Sequence, residues 1–227
     1  MNNGLFLIVP LILILSVPQL SFASDDYSEV YQYGDSEHGH AEQAQYGSQY
    51  GNIDQIGDAN YAYQEQSGAY ADSVNSGAIA QKGSENSAEQ YQYNDGSLSN
   101  FAFIYQEGDW NQARQSQQGS GNISLINMEE NLNYSYQSQF GTLNLANISQ
   151  EGSMNSAVQV QAGFGNDAGI FQSGILNSAQ QVQTGIGHIA ILEQTGIGNY
   201  SYLGQSGQGS LSIVSQTGKG NLSIIIE

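Results

Sequence analysis

The most constraining feature of this chain is a period of eleven residues. Stepping from Gln106 by eleven gives Gln117, Met128, Gln139, Gln150, Gln161, Gln172, Gln183, Gln194, Gln205, Gln216 and Glu227, with no slip of register. Gly follows most of these by two positions and Asn by five. The stretch after each Asn restricts every second position, as in Asn155, Ala157, Gln159, Gln161 and in Asn166, Ala168, Ile170, Gln172. Period-two restriction marks a strand, and a Gly within a short connector marks a turn. Eleven residues are too few to bury a core, so the units must stack on one another.

The third restricted position shows that the structural repeat is two such units. It reads Gln115, Ile126, Gln137, Ile148, Gln159, Ile170, Gln181, then Leu192, Leu203, Val214 and Ile225. Two strand types alternate, as two opposed sheets of a flattened coil require. The sequence therefore predicts an all-β fold, a β-solenoid with two parallel-stacked strands per winding of about 22 residues. Eight windings are expected, over 49–66, 75–92, 100–117, 122–139, 144–161, 166–183, 188–205 and 210–227. The spacing within each winding is eleven; the longer intervals, Gln66 to Gln81 and Gln92 to Gln106, both place their extra residues at the same end of the coil.

Charge tests this assignment of faces. From Gln49 onward, only Glu227 among the charged residues falls on the restricted face, which is otherwise Asn, Ala or Ser, Ile or Gln, and Gln. A buried unpaired charge is expensive, whereas Asn and Gln amides can pair with the same amide one winding away and form ladders along the stack. The predicted ladder residues are Asn60, Gln66, Asn86, Gln92, Asn111, Gln117, Asn133, Gln139, Asn155, Gln161, Asn177, Gln183, Asn199 and Gln205. The predicted turn glycines are Gly57, Gly83, Gly108, Gly152, Gly174, Gly196 and Gly218.

Two segments precede the repeats. Residues 1–23 read as a signal peptide, with an apolar run from Leu5 to Val17 and small residues Ser21 and Ala23 before the expected cleavage site. Its first residues, Met1 to Gly4, lack the Lys or Arg usual there; the rival reading is a membrane anchor, but the run is short for a span, with Pro10 inside it and Pro18 at its end. No membrane span is expected after its removal. Residues 24–48 are acidic and rich in Tyr, Gln and Gly, with no sustained strand period, and are expected to form a flexible leader. Asp35, Glu37, His38, His40 and Glu42 lie close together there, but nothing fixes a ligand geometry, so a solvated acidic tail is expected rather than a metal site.

Composition narrows the function. With 3 Lys and Arg against 21 Asp and Glu, the formal charge is -18, which disfavours nucleic acid and anionic membranes as partners. The absence of Cys excludes disulfides and thiolate metal sites. No nucleophile, His and carboxylate recur at converging positions, and a packed coil leaves no pocket, so neither an enzyme nor a cofactor is expected. The calcium-binding repeat G-G-x-G-x-D is absent.

The tandem pattern Q-x-G-x-x-N-x-A-x3-Q resembles the curlin family of secreted bacterial amyloid subunits. It is fullest in Gln55-Gly57-Asn60-Ala62-Gln66 and Gln150-Gly152-Asn155-Ala157-Gln161. The resemblance implies export through an outer-membrane secretion channel, polymerisation with itself and other curlin subunits at the cell surface, and adhesive fibres of the biofilm matrix. The leader would correspond to the family's secretion-targeting segment, though it is more acidic and less rich in Gly. The similar half-repeats, with Ile recurring inside, resemble the minor, nucleating subunit somewhat more than the major one. The other reading of a stacked coil is a monomeric, capped surface adhesin or ice-binding solenoid. That fold should present one residue type in a flat outward array; here the outward positions vary, as in Tyr134, Leu145, Val158, Phe171 and Ile191.

Some units depart from the pattern. Met128, Glu129, Glu130 and Asn131 stand where Gln and Gly are expected, as a brake on aggregation or as drift. His188 and Ser210 replace Asn, and His188 reads as a tolerated member of the column rather than a metal ligand. Leu222, Ile224 and Ile226 make the final strand apolar on its outer face as well, either as a docking edge or through strand propensity alone.

Overall fold

A computed structural model describes residues 27–34, 39–69 and 74–227. The first winding comprises β1 (Tyr27–Tyr33) and β2 (His40–Tyr46), followed by β3 (Tyr50–Ile56) and β4 (Tyr61–Gly68), then β5 (Asn75–Lys82) and β6 (Ser87–Asn94). The middle windings are β7 (Asn100–Glu107) with β8 (Gln112–Ser120), β9 (Ile123–Glu129) with β10 (Tyr134–Thr142), and β11 (Leu145–Ser153) with β12 (Ser156–Phe164). The last three are β13 (Asp167–Ile175) with β14 (Ser178–Ile186), β15 (Ile189–Ile197) with β16 (Tyr200–Gln208), and β17 (Leu211–Lys219) with β18 (Leu222–Ile226). Odd strands form one 9-stranded sheet and even strands the other, each in chain order. Every neighbouring pair is parallel. This is the expected β-solenoid, with strands stacked about 4.8 Å apart.

The two inner faces meet in one core. The odd sheet contributes Ile53, Ile79, Ile104, Ile126, Ile148, Ile170, Leu192 and Val214, all buried. Opposite them the even sheet supplies Gln64, Gln90, Gln115, Gln137, Gln159 and Gln181, then Leu203. At this central position the core is thus apolar on one side and amide on the other through most of its height. Among the described residues no Asp, Glu, Lys or Arg is buried.

The leader departs from expectation. Within the segment expected to be flexible, β1 and β2 form a ninth winding, whose Val30, Gln32, Gln43 and Gln45 register with Ile53, Gln55, Gln64 and Gln66. Its acids do not prevent this because Glu29 and Glu42 lie at outward positions while the alternate residues face in. Two extra residues between Gln32 and Gln45, thirteen apart rather than eleven, hide it from an eleven-residue search. In the sequence they fall between the two strands of a winding, whereas the other insertions fall between windings. The signal peptide, and Asp35, Glu37 and His38 of the leader's acidic cluster, lie outside the described residues. His40 and Glu42 face outward 3.7 Å apart.

Candidate functional site

The functional feature this fold offers is a set of continuous columns of hydrogen-bonded amides. The predicted glutamines lie in one such column on the even sheet. Gln66 Nε2 donates to Gln92 Oε1 at 2.6 Å, Gln92 to Gln117 at 2.9 Å, Gln117 to Gln139 at 2.9 Å, Gln139 to Gln161 at 2.9 Å, Gln161 to Gln183 at 2.8 Å and Gln183 to Gln205 at 2.9 Å. The column ends where Gln205 donates to Glu227 Oε2 at 3.3 Å. A parallel column on the same sheet joins Gln115, Gln137, Gln159 and Gln181.

Each bond points the same way along the stack, so each amide receives with its oxygen and passes on with its nitrogen. The second N–H is not wasted. Gln117, Gln139, Gln161, Gln183 and Gln205 each donate it across the core to a main-chain carbonyl of the odd sheet, those of Phe101, Ile123, Leu145, Asp167 and Ile189. Both sheets are therefore knitted by one network, and its members polarise one another.

The asparagines add main-chain bonds to the expected amide-to-amide ladder. Asn133 Oδ1 accepts the main-chain N–H of Asn155 at 3.0 Å, and Asn133 Nδ2 donates to the carbonyl of Gly152 at 2.6 Å. The same clasp joins Asn60 to Asn86 and Gly83, Asn86 to Asn111 and Gly108, and Asn155 to Asn177 and Gly174. Asn177 holds Asn199 and Gly196 in this way, and Asn199 holds Asn221 and Gly218. For Asn111 the clasp reaches Asn133 and the carbonyl of Glu130, which takes the glycine place with φ 69. Each Asn thus fixes the turn of the next winding. Direct side-chain bonds between neighbouring asparagines accompany the clasp at Asn60–Asn86, Asn155–Asn177, Asn177–Asn199 and Asn199–Asn221.

The turn glycines are needed for space as well as for conformation. A Cβ on Gly57, Gly83, Gly152, Gly174 or Gly196 would overlap the carbonyl oxygen of the glycine one winding on, and one on Gly108 would overlap that of Glu130. Gly218 has φ +116 and no such oxygen above it.

The irregular winding is repaired locally. Met128 is fully buried in a glutamine position and has no N–H to pass to Gln150. Ser135 Oγ supplies it instead, donating to Gln150 Oε1 at 2.8 Å. Ser124 Oγ adds a second donor to Gln137 Oε1 at 2.6 Å, beside the one from Gln115. The signal for both was present in the sequence, since Ser124 and Ser135 stand where most windings carry Ala. His188 reproduces half of the asparagine clasp with a ring: Nδ1 accepts the N–H of Ser210 in the next winding at 3.2 Å, while Nε2 lies 3.3 Å from the carbonyl of Thr184 in its own winding. Among the described residues the buried side-chain polar atoms without a partner are Ser201 Oγ and Asp54 Oδ1. An interior built largely of amides is thus almost wholly satisfied, which keeps it from being costly.

Residues 99–127 and 141–174 match a family model described as curlin associated repeat. The stretch between the two matches contains Met128, Glu129, Glu130 and Asn131, the unit that departs most from the repeat. Searches for similar curated proteins and for similar solved structures found no match.

Proposed function

We propose that the chain is a curlin-type protein, as the two matches to the curlin associated repeat support, and that it is a secreted structural subunit of a curli-type amyloid fibre on the bacterial cell surface. In this reading residues 1–23 direct export and are removed, and residues 24–48 address the chain to an outer-membrane secretion channel. The repeats over 49–227, with the winding of β1 and β2 stacked on them, then polymerise winding on winding, with copies of the same chain and with other curlins, into fibres that serve adhesion and the biofilm matrix. The role is structural, with no substrate and no cofactor.

The observation that carries the reading is the equivalence of the windings. From β7 onward every strand pairs with the next one in its sheet at a constant offset of 22 residues, and most windings present their neighbour with the same Gln acceptor, Asn clasp and turn glycine. A winding of a second molecule meets the same groups as the next winding of its own chain, so the bonds that hold the solenoid also hold the fibre. The varied outward positions weigh against an ice-binding or adhesin surface, which would repeat one residue type.

Mature protein diluted from denaturant should stay soluble through a lag and then form dye-binding fibres, and preformed fibres should abolish the lag. A monomer that remains stable and cannot be seeded would favour the capped adhesin. The internal Ile column supports a nucleating role within the family; trace amounts of this chain should then shorten the lag of a major curlin subunit.

A further inference from the structure

The outer face of the even sheet carries a compact group that assembly does not use. Tyr63 on β4 and Tyr91 on β6 lie diagonally across neighbouring strands, their ring centroids 5.4 Å apart and tilted by 41°. Tyr63 Oη donates to Glu65 Oε2 at 3.0 Å, and Tyr91 Oη donates to Glu89 Oε2 at 3.4 Å. Arg114 on β8 closes the group, with its guanidinium 5.1 Å over the Tyr91 ring and 3.5 Å from Glu89. Both rings are partly buried, so their positions are held by packing as well as by these bonds.

We propose that Tyr63 and Tyr91 form an oxidative cross-linking site, at which a one-electron oxidant of the peroxidase class joins adjacent windings through a dityrosine bond. Each phenol gives up one electron to the oxidant and one proton to its carboxylate, Glu65 for Tyr63 and Glu89 for Tyr91. The two phenoxyl radicals couple between ring carbons ortho to oxygen, and the hydrogens on those carbons shift to the oxygens to restore two phenols. The two electrons and two protons released reduce one hydrogen peroxide to two waters, which balances the reaction.

The carboxylates matter because these phenols do not ionise readily. Burial first, and the Glu65 hydrogen bond second, push the Tyr63 hydroxyl well above the usual tyrosine range, and burial followed by the charge on Glu89 raises Tyr91. Oxidation at neutral pH must therefore remove electron and proton together, and an acceptor already hydrogen-bonded to the phenol allows that. Tyr105 provides an internal comparison. It makes the same bond, to Glu107 Oε2 at 2.6 Å, but no second tyrosine ring contacts it among the described residues. The cross-link would tie the windings on either side of the long connection between β4 and β5, where the stack has its largest insertion.

The test treats the folded full chain with a haem peroxidase and hydrogen peroxide, then digests it and maps linked peptides by mass spectrometry. The expected product is a peptide pair joined at Tyr63 and Tyr91 and lighter by two hydrogen atoms, about tenfold more abundant than any link through Tyr105, since held rings couple at high effective concentration. In a mixture of isotope-labelled and unlabelled chains, the linked pair should carry matching labels. Tyr63→Phe and Tyr91→Phe should each remove the product and its dityrosine fluorescence, while Tyr105→Phe leaves both. A Tyr63–Tyr91 link no more abundant than other links, or found mainly in mixed-label pairs, would overturn the proposal. Because the wild-type peptide map decides by itself, the result holds even if a Phe variant folds poorly.

Discussion

Ser135 Oγ donates a 2.8 Å hydrogen bond to Oε1 of Gln150, in the place of the N–H that Met128 lacks. The two departures from the repeat are thereby coupled. Ser135→Ala should leave a buried carbonyl oxygen without its donor and lower stability by about 1–3 kcal/mol. In a Met128→Gln background the same substitution should cost almost nothing, because residue 128 would then feed Gln150 directly. Denaturant midpoints of the four variants form a double-mutant cycle, and additive effects would mean that the serine does not compensate for the methionine.

Steric and conformational demands on glycine can be separated at two turns. Gly174 has φ +119, and a Cβ there would overlap the Gly196 carbonyl oxygen; Gly165 has φ +65 with open space around it. Leu143 already occupies the position equivalent to Gly165 one winding earlier, at φ 57. Gly165→Ala should therefore cost only the left-handed backbone, about 1–2 kcal/mol, while Gly174→Ala should cost more and disturb the turn stack. Thermal or denaturant unfolding of both variants is the check.

The column direction makes Gln161 intolerant of charge. Its Nε2 donates to Gln183 Oε1 and to the Leu145 carbonyl, both at 2.8 Å, so a carboxylate there would face two acceptors. Gln161→Glu should destabilise the stack by several kcal/mol at neutral pH, on the order of removing one partner of a buried charge pair. Burial raises the folded-state value of such a carboxyl, so the deficit should be smallest in acid and grow as pH rises through that raised value. Val160→Glu, at an outward position, should have a small effect in assembly-rate measurements; equal effects at both sites would reverse the assignment of faces.

Asp167 gives a pH signature in the native sequence. It stands between Leu145 and Ile189 in its outward column, and loss of solvent raises its carboxyl above the ordinary value. The folded state then binds its proton more tightly than the unfolded state. Stability is greatest below the unfolded value and falls as pH rises through the folded one. Asp167→Asn should remove this component, stabilising the chain at neutral pH by less than about 1 kcal/mol because the side chain is largely open to solvent. A titration of unfolding midpoints should show the difference vanishing in acid.

Much of this architecture was legible because the period, the face and the turn are each set by short-range constraints. Charge cannot enter a dry amide interior, and this separated inner from outer positions without any structure. What the sequence concealed depended on exact registration. The winding of Val30, Gln32, Gln43 and Gln45 carries the inward alternation but spaces its two glutamines by thirteen. Amide pairing is only part of what the asparagines do: the partner of Asn133 Nδ2 is a main-chain carbonyl in the next turn, and main-chain groups leave no trace in residue identity. The Ser135 compensation was written in the sequence, but only the fold brings it against Gln150.

The central claim, that fibres continue the solenoid winding by winding, is tested most directly by the mass per unit length of single fibres. Nine windings at about 4.8 Å each predict one chain for every ~43 Å of a single filament. A filament with one chain per ~4.8 Å, as in amyloids where each molecule forms a single flat layer, would contradict the account even if the fibres bind dye and give cross-β diffraction.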